Sequence, residues 1–147
     1  MSDIKLSADL GFLRIAAAVP ELHVADVDFN VKSIKGLLSQ AAGEGVQVVA
    51  FPEMALTGYT IGDLVQQDAL LARARKGLGD ILTDNAGRPI VAVIGMPLAA
   101  EQKIFNCAVV INGGQVLGVV PKTMLPGYKE FYENRWFSSG TDAVSDT

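Results

Sequence analysis

Val46-Gln47-Val48-Val49-Ala50-Phe51-Pro52-Glu53 is the stretch on which the reading of this chain turns. Its apolar residues run on without a solvent-facing alternation, the pattern of a strand buried on both faces. Upstream, Leu13 to Val19 is a shorter apolar run with no helical stripe, and it reads as a second buried strand. Between the two, from Asp26 onward, Val31, Ile34, Leu38 and Ala41 recur at helical spacing until Gly43 and Gly45 stop the helix. Strand, helix and strand joined by short connections are the signature of a parallel β-α-β unit.

Downstream, the turn-rich segment Thr57-Gly58-Tyr59-Thr60-Ile61-Gly62-Asp63 leads into a second helix from Gln67 to Leu82. Leu70, Leu71, Ala74, Leu78 and Leu82 supply its apolar stripe, and Asn85, Gly87 and Pro89 break it. Ile90 to Met96 gives a third strand, favoured by its branched residues. Phe105 to Ile111 and Gln115 to Val120 flank Asn112-Gly113-Gly114, a hairpin signal because these residues tolerate the positive φ of tight turns. The expected class is α/β, with no repeat, heptad or low-complexity block.

The 147 residues suffice for one ordinary domain and no more. Half of them are hydrophobic and the mean hydropathy is +0.31, which fits a layered α/β core better than a small solvated sheet. A net charge of -4 leaves no electrostatic footprint for nucleic acid. Arg73, Arg75 and Lys76 are close in sequence but fall on different sides of a helix. The one cysteine excludes an internal disulfide, so nothing argues for an oxidising compartment. Lys5 ahead of Phe12 to Ala18 imitates a signal peptide, but Arg14 interrupts the run and Asp3 and Asp9 acidify its flank. Ile90 to Ala100 is much shorter than the roughly 20 residues of a membrane span. The expectation is a soluble, cytoplasmic protein without a membrane or nucleic-acid partner.

Glu53 directly follows a strand, and ligands in open α/β sheets collect beyond the carboxyl ends of the strands. Pro52 fixes one torsion just before it and so restricts the direction of the carboxylate. Lys122 has a similar setting, after Val119-Val120-Pro121. Taken singly, each also reads as a solvated loop residue. Together they permit amide chemistry: cleaving a C–N bond needs a nucleophile, a group that takes its proton and returns it to the amine, and positive charge at the oxyanion. Glutamate and lysine fill the last two roles, and the two side chains are expected to meet in the fold. Cys107 is a poor nucleophile by sequence, because its apolar strand carries no charge to lower its pKa. His23 has no second histidine or cysteine beside it and makes no metal site. Gly43-Glu44-Gly45 lacks the third glycine of a dinucleotide fingerprint and is read as a helix stop.

Phe51-Pro52-Glu53, Thr57-Gly58-Tyr59 and the run from Pro121-Lys122-Thr123-Met124-Leu125-Pro126-Gly127-Tyr128 through Lys129-Glu130-Phe131-Tyr132-Glu133 resemble the carbon–nitrogen hydrolase (nitrilase) superfamily. The extension through Arg135-Trp136-Phe137, with Ile61-Gly62-Asp63-Leu64 and Gln67-Asp68 upstream, is similar to one branch, the glutaminase domains of glutamine-dependent NAD synthetases. The resemblance covers nearly the whole chain in the expected order.

It implies a Glu-Lys-Cys triad on a four-layer αββα sandwich, of which residues 1–147 would be the N-terminal portion, incomplete at the C-terminus. Glu53 matches the general base and Lys122 the oxyanion-stabilising lysine. Glu130 matches a second glutamate that supports the site, and Tyr128 a tyrosine that contacts glutamine. The nucleophilic cysteine is expected downstream of the lysine, beyond Thr147. The resemblance further implies a separate synthetase domain that uses ATP and Mg to amidate deamido-NAD. Strands that read as buried on both faces would leave apolar surface uncovered in these residues alone, and association, as in a homo-oligomer, is expected from that surface. No Gly-rich phosphate loop or metal site is expected in these residues. Two other readings stand beside this one: a free-standing nitrilase-type amidase with the same triad, and an inactive fragment acting through association surfaces.

Overall fold

A computed structural model describes residues 11–144; the N-terminal stretch containing Asp3, Lys5 and Asp9 lies outside the described residues. The first β-α-β unit forms as its periodicity requires. Strand β1 (Ile15–Ala17), helix α1 (Val27–Gly43) and strand β2 (Val48–Ala50) follow in order, and the two strands pair in parallel. Asp26 caps α1 by accepting from the Phe29 backbone N–H at 3.1 Å, which satisfies one of the free donors of the first turn. Gly45, at φ 73°, turns the chain out of the helix.

Helix α2 (Asp68–Asp84) then leads to strand β3 (Val91–Ala100), which is parallel to β2. From there the sheet becomes antiparallel through β4 (Lys103–Asn112) and β5 (Gln115–Pro121), giving the order β1-β2-β3-β4-β5. Gly113 and Gly114 both have positive φ in the β4–β5 turn, as the Asn-Gly-Gly signal predicts. The strand β3 runs past the expected end at Met96 and turns into β4 through Glu101 and Gln102, at φ 53° and 61°. Pro97 is tolerated inside β3 because it lies beyond the register with β2, where that side of the strand has no ladder partner.

Both helices cover one face of the sheet. Ile34 and Leu38 of α1 and Ala74 and Ile81 of α2 are buried with Val49, Ala92, Ile94, Val109 and Ile111 in one core. Period-two alternation sends the intervening residues to the other face, where Ile15, Ala17 and Ala50 are exposed and Val48, Val91, Val93, Ala108 and Val110 are half-buried. One α layer and one β layer are therefore present among the described residues, and the second face of the sheet is apolar and bare. No described helix is long and apolar enough to cross a membrane.

Candidate active site

The β2 strand delivers Glu53 through a tight turn. The Phe51 backbone N–H still donates to the Val93 carbonyl at 2.9 Å, after which Met54 adopts φ 55° and Ala55 N–H closes on the Pro52 carbonyl at 3.2 Å. This turn is pressed onto β3 at Gly95. A Cβ there would meet the Pro52 carbonyl oxygen at 2.4 Å and the Met54 nitrogen at 2.5 Å, so only glycine admits the approach. Buried Asn30 of α1 donates to the Leu56 carbonyl at 3.2 Å and ties the far side of the turn down.

Strand β5 delivers Lys122. Its backbone N–H donates to the Asn106 carbonyl at 2.8 Å, and its carbonyl accepts from Gly140 at 2.9 Å. Its side chain lies between two carboxylates: Nζ is 2.9 Å from Oε1 of Glu53 and 2.9 Å from Oε1 of Glu133. Partial desolvation pulls the lysine pKa down, but the hydrogen bonds and charges of Glu53 and Glu133 outweigh it and hold the pKa above its ordinary value. The group is a fixed ammonium. The expected meeting of Glu53 and Lys122 is thus present, although 69 positions separate them.

The second glutamate at the lysine is Glu133, not Glu130. Glu133 is 1% exposed and opens the short 3₁₀ helix Glu133–Arg135, whereas Glu130 is exposed three residues earlier. The turn closed by Phe131 N–H on the Tyr128 carbonyl, at 3.1 Å, carries Glu130 outward before the chain re-enters. Tyr59 adds a donor: its hydroxyl gives a 2.5 Å bond to Glu133 Oε1. Burial, that bond and the charges of Glu133 and Glu53 raise its pKa, so the hydroxyl keeps its proton.

Two further contacts were not foreseen from sequence. Asn106 Nδ2 donates to Glu53 Oε1. Asp63 accepts both Nε of Arg135 at 2.8 Å and an Nη of Arg135 at 3.0 Å, together with Trp136 Nε1 at 2.7 Å. That clamp fastens the 3₁₀ segment Tyr59–Gln66 to the segment bearing Glu133. The Arg135 and Trp136 donors hold the Asp63 carboxyl down at about 2.

Tyr128 lies at the edge of the site. With Pro52, Glu53, Tyr59, Lys122, Pro126, Phe131 and Glu133 it lines an open cleft of about 440 Å³, where its ring stands edge-on to Phe131. A second cleft, of about 330 Å³, continues from Glu53, Asn106 and Lys122 onto the bare sheet face at Ala108 and Val120. Cys107 is buried, and burial pushes its thiol up to about 11. It contributes to this second cleft beside Asn106. It pairs with Met96, however, and alternation places it with Val109 and Ile111 on the helix-covered face. His23 stacks on Phe29 with ring centroids 3.6 Å apart. Among the described residues no group of three His, Cys, Asp or Glu side chains could hold a metal ion.

Comparison with known proteins gives a consistent result. The family model described as carbon-nitrogen hydrolase matches residues 14–147. A glutamine-dependent NAD(+) synthetase of Mycobacterium leprae is 41% identical over 140 residues, which is 95% of this chain and 21% of that protein. A crystal structure of a glutamine-dependent NAD(+) synthetase from Cytophaga hutchinsonii superposes with a TM-score of 0.82 at 28% identity, covering 86% of this chain and 22% of that one. An amidase from Nesterenkonia sp. superposes with a TM-score of 0.72 at 24% identity, over 86% of this chain and 48% of that one, and shares the fold. The chain spans about a fifth of the length of the curated relatives it matches.

Proposed function

Because this chain belongs to the carbon–nitrogen hydrolase family, we propose that its Glu53–Lys122 site hydrolyses the side-chain amide of glutamine and supplies ammonia for NAD synthesis. The observation that carries this reading is the Lys122 ammonium held between Glu53 and Glu133 at the floor of a cleft rimmed by Tyr128. The 41% identity to a glutamine-dependent NAD(+) synthetase supports this branch over a free-standing amidase, for which the likeness at 24% identity speaks to the fold alone.

In this mechanism Glu53 takes the proton of a cysteine thiol as the sulfur attacks the amide carbon. Lys122 stabilises the oxyanion that forms, and it can do so without reorganising because Glu133 and Asn106 already hold it in place. Glu53 then returns the proton to the departing nitrogen, the C–N bond breaks, and ammonia leaves a thioester behind. Glu53 next deprotonates water for attack on the thioester, which releases glutamate and restores the thiol. Cys107 does not fill the nucleophile's place, being neutral and turned to the helices, so the thiol comes from sequence outside these 147 residues. The cleft that runs from Glu53 onto the bare sheet face leaves room for such a thiol on whatever packs there.

In this reading amidation of deamido-NAD, with its ATP and Mg, falls to a synthetase domain of the parent polypeptide, because this chain spans only about a fifth of the glutamine-dependent NAD(+) synthetases it matches. The parent is a cytoplasmic homo-oligomer in this reading. The test is ammonia release by the full-length polypeptide carrying these residues, with glutamine set against asparagine and simple aliphatic amides. Preference for glutamine by kcat/KM, with the ammonia consumed in forming NAD, is expected. Equal turnover of unrelated amides would favour the free-standing amidase instead.

A further inference from the structure

We propose that Asn106 is the positioning residue that joins the two halves of this site, setting Glu53 against Lys122 and choosing which carboxylate oxygen is free to move a proton. The proposal rests on the catalytic reading of Glu53 and Lys122 given above. Asn106 is bonded to both residues at once: its side-chain amide donates to Glu53 Oε1, and its backbone carbonyl accepts from the Lys122 N–H at 2.8 Å. It is 3% exposed, and it is a polar residue inside the otherwise apolar run from Ile104 to Ile111. A buried amide in a strand interior carries a desolvation cost unless its hydrogen bonds are made.

A carboxylate can only accept, so the amide nitrogen and not its oxygen must face Glu53. Oε1 then receives both Asn106 Nδ2 and Lys122 Nζ, and Oε2 receives neither. One oxygen is anchored and the other is left for the thiol proton. Backbone and side chain of one residue therefore tie the base to the strand end that carries the ammonium. Without the amide, Glu53 would still be drawn to Lys122 by charge but could rotate its plane, and a displacement near 1 Å at a reacting group can cost about 10²-fold in rate.

Three variants of the full-length polypeptide test this by glutamine hydrolysis and thermal unfolding. Asn106→Leu keeps the volume and removes the donor; its kcat should fall about 10- to 100-fold with KM within about twofold of wild type and the folded state retained. Asn106→Asp should be worse at neutral pH, because a carboxylate then faces a carboxylate, and should recover as the pH falls and the new acid regains a proton to donate. Glu53→Gln is the control for the underlying reading. An inactive Glu53→Gln beside an Asn106→Leu of unchanged kcat, or an Asn106→Asp whose pH profile matches wild type, would overturn the role of Asn106 alone. A Glu53→Gln variant with wild-type kcat would refute the catalytic reading itself.

Discussion

The Lys122 ammonium lies 2.9 Å from Oε1 of Glu133, a carboxylate that is 1% exposed and whose same oxygen also accepts the Tyr59 hydroxyl. A buried charge is stable only when paired, and removing one partner leaves the other uncompensated. Glu133→Gln is therefore expected to lower kcat for glutamine about 10²-fold, the scale of losing one preorganised charged contact. Glu130→Gln, on the exposed turn, should stay within about twofold of wild type. Steady-state kinetics of the pair decides between them, and the opposite ranking would restore Glu130 to the site.

Gly95 sets how closely the Glu53 turn can lie on β3. Gly95→Ala must push back the Pro52–Met54 backbone, since the new Cβ would sit 2.4 Å from the Pro52 oxygen. Overpacking of this kind costs about 1–3 kcal/mol, and the displaced carboxylate should lose most of its activity. Denaturant unfolding and kinetics on one preparation check both parts. Wild-type kcat in that variant would show that the close approach does not position Glu53.

The Asp63 clamp makes a pH-dependent contribution. Its folded pKa, about 2, lies below the ordinary 3.8, so the stabilisation is fully present above about 3.8 and is lost as the pH falls through about 2. Asp63→Asn should therefore be less stable than wild type near neutrality, with the difference shrinking only at the acid end. Because the groups are exposed, salt should also reduce it. Thermal unfolding as a function of pH gives the comparison; a difference independent of pH would mean that the carboxylate charge is irrelevant.

Cys107 should behave as a core residue. With its thiol raised to about 11 it is neutral at pH 8, and it is buried. A thiol reagent should label it slowly in the native state and quickly after unfolding. Cys107→Ala should cost about 1 kcal/mol and leave glutamine hydrolysis unchanged. Rapid native labelling would contradict its assignment to the helix-covered face.

Much of this architecture is written in local patterns. The β-α-β unit follows from the spacing of Val31, Ile34, Leu38 and Ala41 between two apolar runs, and the β4–β5 turn from Asn112-Gly113-Gly114. The β3–β4 turn was silent because Glu101 and Gln102 adopt positive φ without being residues that favour it. In the site, Glu53 and Lys122 stood out by following strands. The resemblance matches Glu130 to the second glutamate, whereas the fold brings Glu133 to the lysine, because three residues in a turn separate a buried carboxylate from an exposed one. Asn106 gave one weak signal, polarity within an apolar strand. Asp63 and Arg135 are 72 positions apart, and no local pattern joins them.

The proposed function has Glu53 moving the proton and Lys122 holding the oxyanion in the hydrolysis of glutamine. Its most direct test is kcat for glutamine in Glu53→Gln and Lys122→Met variants of the full-length polypeptide, each confirmed as folded. Either change should lower kcat by about 10³-fold or more, with the double variant little worse than the worse single one, because the two act as a unit. Retention of wild-type kcat in either folded single variant would contradict it.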